Sequence, residues 1–132
     1  MSDPTVRGVK VPGFPPAVGP YADVAIAAGQ AWISGIIALD AEGQVVGAGD
    51  PDRQIEFTLR QLAAALEAVG ATPPDLVHLT NYVTDPALRS IVHRKRELVL
   101  PGSRPASTMI VVPEIVVPGL VYEVQAVALV ES

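Results

Sequence analysis

The residue with the clearest chemical potential is a glutamate set in an apolar stretch near the end of the chain. Glu123 lies within residues 120–129, where nearly every neighbour is apolar, and this composition predicts a central strand. A carboxylate in such a strand costs free energy unless it is paired or hydrogen-bonded. Either backbone N–H groups bind it, which would make it structural, or burial raises its pKa and it acts as a general acid or base. The chemistry of the residue alone leaves these two interpretations equal.

Few other residues carry the side chains of familiar catalytic or metal sites. The chain contains no cysteine, which excludes disulfides, thiolate metal sites and cysteine nucleophiles. Its two histidines, His78 and His93, lie in different predicted elements with no carboxylate at a ligand spacing, so we expect no metal. No dinucleotide fingerprint or phosphate-binding loop is present, and no cofactor is expected. Ser34 would bond to backbone inside a buried strand, and the adjacent Gly35 would let a ligand or another backbone approach closely.

The charge and hydropathy of the chain limit its partners. The formal net charge is −5, which repels phosphate backbones, and the one basic run, at residues 93–96, has no interleaved aromatic residues. We therefore expect a solvated helix face there and no nucleic-acid partner. No stretch could cross a bilayer, residues 1–13 do not form a signal peptide, and a cytoplasmic protein is expected. With 49% hydrophobic and 17% charged residues, the chain predicts a sheet face covered by a partner subunit.

The elements that would position these side chains are separated by frequent prolines and glycines. An Asp-Pro pair at residues 50–51 predicts a helix start, an apolar stripe follows at spacings of three and four, and Gly70 predicts the end. A second Asp-Pro pair, at residues 85–86, predicts a helix to about residue 100. Strands are predicted at residues 22–28, 31–39, 44–46, 75–84, 107–112 and 120–130. The pattern indicates one α+β domain over residues 1–132, with residues 1–16 as an irregular N-terminal arm and both helices on one face of a mixed sheet.

Five short strings occur along the chain in an order that matches one known family. They are AVGPY at 17–21, ISG at 33–35, VHLTNYVTD at 77–85, RPAST at 104–108 and EVQAVA at 123–128. Each string is weak alone, but their joint order and spacing resemble the Rid/YjgF family of reactive-intermediate imine and enamine deaminases. The resemblance extends from about Ala17 to the C-terminus.

The resemblance implies a fold, an assembly and a reaction. The expected subunit is α+β and chorismate-mutase-like, and three subunits would form a homotrimer around a central barrel, with an intersubunit cleft between each pair. Such families hydrolyse 2-imino or 2-enamino acids to 2-oxo acids and ammonia without a cofactor. Carried over to this chain, Tyr21 would line the cleft, Ser34 and Gly35 would supply polar and backbone contacts, and Glu123 would position or activate the attacking water.

Three positions depart from the family pattern where substrate would bind. The deaminases usually carry an arginine directly after Pro-Ala, which binds the substrate carboxylate through two parallel hydrogen bonds, and this chain has Ser107 there. A frequent cysteine two residues later is Met109, and a frequent asparagine in the second helix is His93. These three residues are predicted substrate contacts, but the usual carboxylate-binding arginine is missing.

Another cation would have to replace that arginine if the substrate carries a carboxylate. Arg104 lies three residues before Ser107, and this odd offset would direct it to the other side of the strand. Arg94, Arg96 and a protonated His93 on the second helix are the candidates, and His93 is favoured because it occupies the family's polar pocket position.

Two functions from different classes fit these residues. The first is a Rid-like enzyme acting by hydrolysis or acid/base chemistry on an imine, an enamine or a related small carbonyl compound other than the standard 2-imino acids. The alternative is a non-catalytic small-molecule-binding or regulatory trimer. Tyr21, Ser34, Gly35 and Glu123 favour the enzyme, whereas Ser107 favours the binding protein. Ribonuclease activity, attributed to some relatives, fits poorly with the acidic charge and the lack of a histidine pair.

Overall fold

The computed structural model describes residues 5–131, which form one six-stranded sheet and two helices. The elements are β1 (Arg7–Val9), β2 (Val24–Ala27), β3 (Gln30–Ile36), α1 (Pro51–Ala68), β4 (Leu76–Val83), α2 (Arg89–Val99), β5 (Ala106–Val111) and β6 (Tyr122–Leu129). Single turns of 3-10 helix at Pro73–Asp75 and Pro86–Leu88 lead into β4 and α2. No helix within residues 5–131 is long and apolar enough to cross a membrane.

The sheet is mixed, as the sequence predicts. Its strand order is β1-β2-β3-β6-β4-β5, and every neighbouring pair is antiparallel except β4 and β5. Parallel neighbours need a crossover, and α2 provides it by carrying the chain from β4 to β5. This order places β6, the strand of Glu123, in the middle of the sheet and leaves β5 at one edge.

Local signals place α1 and turn its apolar side towards the sheet. Asp50 is the N-cap and accepts a hydrogen bond from the Arg53 N–H, and Pro51 occupies the first helical position, as predicted. The predicted apolar stripe consists of Ile55, Leu59, Leu62, Leu66 and Val69. The first four are buried, and Val69, at the C-cap, is partly buried. Inward-facing residues of β6 pack in the same core, so the helices cover one face of the sheet.

Residues of β6 alternate between the two faces of the sheet. Those that join the core under the helices are Tyr122, Val124, Ala126 and Ala128. The residues between them line the other face, which we call the open face. There Trp32, which pairs with Val127, is 54% exposed, and Leu129 is equally exposed. A single chain leaves this apolar surface in water, and the subunit that would cover it stays a prediction.

The structure differs from the sequence prediction most clearly in the N-terminal arm and at residues 44–46, and β3 ends at Ile36 rather than at residue 39. The arm at residues 1–16 contains β1, which pairs with β2 so that Val9 faces Val24. Three residues are too few to show a hydrophobic period, which is why the sequence did not indicate this strand; residues 1–4 lie outside the described residues. The strand predicted at residues 44–46 is reduced to a single bridge between Leu39 and Val45.

The hairpin between β2 and β3 closes in two residues. Ala28 has a φ of 51° and Gly29 a φ of 77°, so both adopt the left-handed conformation that such a tight hairpin requires. This conformation suits glycine but strains alanine, whose Cβ approaches the following carbonyl.

Candidate functional site

Glu123 lies on the open face and is half-buried. It pairs across β6 and β4 with Tyr82. Within residues 5–131 the structure gives its carboxylate no hydrogen bond and no ion pair, and partial burial raises its pKa above the ordinary value. A structural carboxylate would be bonded to backbone N–H groups, and this one is not. The geometry therefore favours the acid/base interpretation of Glu123.

The Glu123 carboxylate lies directly against the backbone of Gly35. The pairing of β3 with β6 is irregular between Ile33 and Ile36, so Gly35 sits in a bulge. A Cβ built on Gly35 would overlap the Glu123 Oε2 atom and stand 3.0 Å from Cδ. Only glycine leaves room for the carboxylate in this position. The sequence predicted that a ligand or another backbone would approach Gly35 closely, whereas the group that lies beside it in the structure is the Glu123 side chain.

Ser34 and Tyr21 are linked through backbone rather than through a shared ligand site. The Ser34 hydroxyl donates to the Ala22 carbonyl over 2.7 Å, and its backbone N–H donates to the Asp23 carbonyl over 3.0 Å. These bonds fix the segment that carries Tyr21, whose side chain is 53% exposed. Because its hydroxyl proton is already donated to the Ala22 carbonyl, the main role of Ser34 in this structure is to hold that segment in place.

A surface cavity of about 220 Å³ opens beside Glu123. Its other lining residues are Tyr82, Val112, Glu114, Ile115 and Val116. The Tyr82 hydroxyl donates to the Gln125 Oε1 atom over 2.9 Å, so this phenol is held at the cavity wall. Sequence reasoning missed Tyr82, although its alternation along β4 could have placed it on the same face as Glu123, whose strand was correctly predicted.

The connection between β5 and β6 forms part of this cavity, and a buried glutamine of α1 fixes it. Gln54 is only 1% exposed. Its Nε2 atom donates to the Gly119 carbonyl over 2.9 Å, and its Oε1 atom accepts from the Val121 N–H over 2.7 Å. The connection between β5 and β6 has no regular secondary structure, but these two hydrogen bonds hold it in one position beside Glu123.

A second polar cluster, which we call the edge cluster, consists of Asn81, Ser107 and Arg96. Asn81 is 1% exposed, accepts a hydrogen bond from the Tyr122 hydroxyl over 2.7 Å and donates to the Ser107 Oγ atom over 3.1 Å. The Arg96 Nη1 atom, on α2, donates to the same Oγ over 3.2 Å. Met109 pairs with Asn81 and lies beside this cluster.

The edge cluster and Glu123 lie on opposite faces of one sheet. Ser107 pairs with Leu79, which is fully buried in the core under the helices, whereas Glu123 pairs with Tyr82. Leu79 and Tyr82 are three residues apart on one strand, and an odd separation places side chains on different faces. One small molecule cannot touch both groups within a single chain.

Residues 13–130 match the family model described as Endoribonuclease L-PSP. The chain belongs to this family, known also as Rid/YjgF. The resemblance of the sequence to this family is therefore confirmed, and the matched range contains all the site residues named above.

Solved Rid/YjgF-type structures share the whole fold. A Thermotoga maritima protein named as an endoribonuclease candidate is 28% identical, and the alignment covers 96% of this chain and 98% of that one with a TM-score of 0.86. A Yersinia pestis protein of unknown function from the conserved Rid family is 24% identical, with 96% and 100% coverage and a TM-score of 0.88. RidA from an Antarctic Psychrobacter is 22% identical, with 94% and 99% coverage and a TM-score of 0.84.

The basic run of this Rid/YjgF chain is divided between two roles. Arg94 forms an ion pair with Asp52, and Lys95 lies 2.6 Å from Asp52 and 3.0 Å from Glu56, so both tie α2 to α1. Arg96 points the other way, to Ser107.

His93 is exposed on α2 and is disfavoured as a cation. Desolvation, and then the positive charges of Arg96 and Arg89, lower its pKa, so the neutral imidazole predominates at neutral pH. The cation that contacts Ser107 is Arg96 rather than the favoured His93. Arg104 is paired elsewhere, with Glu97 at 3.3 Å. Among residues 5–131 no group of three or more possible metal ligands is found.

Proposed function

We propose that this protein is a Rid-like enzyme that hydrolyses an imine, an enamine or a related small carbonyl compound, with Glu123 as the general acid and base. The observation that carries the proposal is the half-buried Glu123 carboxylate, without a partner in residues 5–131, lying on Gly35 beside a cavity. A carboxyl with a raised pKa exchanges protons near neutral pH more readily than an ordinary one. We expect the enzyme to need no cofactor and to act in the cytoplasm.

The reaction proceeds through two proton transfers at Glu123. Water attacks the carbon of the C=N bond while the Glu123 carboxylate accepts one of its protons. The C–O bond forms, and the displaced electron pair moves to nitrogen, which takes up a proton from solvent. Glu123 then returns its proton to the amine, the C–N bond breaks, and ammonia leaves with the electron pair of that bond. The hydroxyl releases its proton to solvent as the C=O bond forms, so the carbonyl product remains and the protons balance.

The active site would be shared between copies of the chain. Glu123 and the edge cluster lie on opposite faces, and β5 is an edge strand whose residues are largely exposed. A second copy seated against the open face would bring its β5 edge to Glu123 and would cover Trp32 and Leu129. A homotrimer, with the open faces lining a central barrel and three intersubunit clefts, would both complete the site at Glu123 and cover the apolar residues of the open face. Sedimentation equilibrium should give three times the 13.8 kDa chain mass.

Standard 2-imino acids are expected to be poor substrates. Ser107 replaces the arginine that binds their carboxylate in the family's deaminases, and a neutral hydroxyl contributes only about 0.5–1.5 kcal/mol per hydrogen bond. A carboxylate enclosed without a cation loses several kcal/mol of hydration. We therefore expect a substrate that differs from the standard 2-imino acids either in its charge or in the position of that charge.

Ribonuclease activity is not the function we favour, although the family model carries that description. The net charge is −5, and Arg94 and Lys95 are neutralised by carboxylates of α1. His78 lies on the sheet and His93 on α2, so the two do not form an acid/base pair on one element.

The test is turnover by wild type and Glu123→Gln on a panel of imines and enamines, followed as release of the carbonyl product. The panel combines 2-imino acids, generated from amino acids by an oxidase, with imines and enamines that carry no carboxylate or carry it further from the C=N bond. Glutamine keeps the size but cannot exchange the proton, so turnover should fall by roughly 10²-fold or more while the oligomer survives. Equal turnover would make Glu123 structural. A wild type that accelerates no member of the panel would favour the non-catalytic binding protein.

A further inference from the structure

The edge cluster presents hydrogen-bond donors that the hydrolysis itself does not use. Ser107 Oγ accepts hydrogen bonds from both Arg96 and Asn81. Because these two donors occupy the oxygen, the hydroxyl proton of Ser107 is left to donate outwards. Ser107 is exposed and Arg96 is half-buried, so a ligand can reach both.

Arg96 has no carboxylate partner among residues 5–131, unlike the other cations beside it in the sequence and just before β5. Arg94 and Lys95 are paired with Asp52, and Arg104 with Glu97. Ser107 is the one side-chain acceptor that the described residues offer Arg96, and it uses a single N–H of the guanidinium. The other N–H groups of the planar guanidinium remain available and have the geometry to bind an oxyanion through two hydrogen bonds.

A structural role for Arg96 would explain part of this geometry. It lies in the last turn of α2, where the helix dipole favours a cation by about 0.3–1 kcal/mol. That effect needs only a positive charge near the helix end. It does not account for a guanidinium bonded to a hydroxyl that a buried asparagine also holds in place.

We propose that Arg96 and Ser107 form the anion-binding site of this protein. The cation that the family's deaminases place on the edge strand comes here from α2, and the Ser107 hydroxyl supplies the second donor. The substrate is then an imine, an enamine or a related carbonyl compound whose oxyanion lies where the Arg96 guanidinium reaches it from α2, which is a different place from that of the carboxylate in a standard 2-imino acid bound to an edge-strand arginine. The assignment of this anion to a substrate rests on the proposed hydrolysis, whereas the binding of the anion does not.

The test is calorimetric binding to the full chain of three small probes. Pyruvate carries its carboxylate next to the carbonyl, 4-oxopentanoate carries it two methylenes away, and pyruvamide is an uncharged match for pyruvate. Arg96→Gln should weaken binding of the better carboxylate by about tenfold to a hundredfold, because a charged hydrogen bond is lost. Arg96→Lys keeps the positive charge at the helix end but cannot form two parallel hydrogen bonds, so it should weaken binding less than Arg96→Gln does. The matched control Arg94→Gln removes the same charge from the same helix and should leave binding unchanged.

The outcomes separate this site from the proposed reaction. Equal affinity of wild type and Arg96→Gln, or carboxylates bound no better than pyruvamide, would overturn the anion site. Arg96-dependent binding in a wild type that hydrolyses no imine would support the anion site and overturn the hydrolysis. Hydrolysis that Arg96→Gln leaves unaffected, with unchanged affinity, would support the hydrolysis and overturn the anion site.

Discussion

Replacing Gly35 with alanine separates the position of Glu123 from the stability of the fold. The new Cβ would overlap the Glu123 Oε2 atom, which is the far end of a flexible side chain rather than backbone. The carboxylate can move aside by about 1 Å, and a misplacement of that size in a reacting group costs on the order of 10²-fold in rate. Gly35 does not have a positive φ, so the backbone accepts alanine.

Thermal unfolding and turnover should therefore respond in opposite ways to Gly35→Ala. Alanine in a strand avoids the extra chain entropy of glycine, about 0.5–1 kcal/mol, so the melting temperature should stay level or rise slightly. Turnover on the imine panel should fall by about 10²-fold.

A double variant shows whether Gly35 acts through Glu123. If it does, Gly35→Ala added to Glu123→Gln should slow turnover no further, because the group it displaces is already inactive. Full activity of Gly35→Ala would refute the placement of the carboxylate. Multiplied losses in the double variant would show that Gly35 acts elsewhere in the site.

Three further predictions concern stability. The raised pKa of Glu123 means that the folded chain binds the carboxyl proton more tightly than the unfolded chain, so stability falls as pH rises through the raised value. Relative to wild type, Glu123→Gln should therefore gain stability as pH rises above the ordinary pKa of glutamate, and a difference between the two that stays constant with pH in urea titrations would count against the shift. Ala28→Gly should stabilise the hairpin by about 0.5–1 kcal/mol, whereas the strand control Ala27→Gly should destabilise it, both read from melting temperature. Gln54→Leu leaves buried backbone groups unpaired and should cost about 2–4 kcal/mol in denaturant unfolding; a loss below about 0.5 kcal/mol would show that the loop does not depend on Gln54.

Much of the fold is encoded in local sequence signals. The Asp50 cap and the Pro51 start place α1 correctly because they act within one helical turn. The central position of β6 follows from its apolar run. The uncovered face of the sheet follows from the prediction that both helices lie on the other face. β1 could not be predicted, because its three residues become a strand only through pairing with β2.

Candidate site residues can be named from the sequence, but their arrangement cannot. Glu123 and Gly35 were both identified, yet their contact depends on the bulge between β3 and β6, which no local pattern indicates. The separation of Ser107 from Glu123 onto opposite faces depends on the register of three strands. The contact between Arg96 and Ser107 depends on how α2 packs against the sheet edge, and sequence reasoning favoured His93 instead.

Recovery of activity in mixed oligomers tests most directly whether Glu123 of one copy works with the Ser107 edge of another. Glu123→Gln inactivates one half of the shared site, and Ser107→Trp blocks the other half. Ser107 is exposed on an edge strand, so the fold of one chain has room for the larger side chain. Each variant alone should be nearly inactive. When the two are unfolded, mixed in equal amounts and refolded, about one quarter of the sites should receive both native halves and recover wild-type turnover. A mixture no more active than the mean of the two separate variants would contradict a site shared between copies.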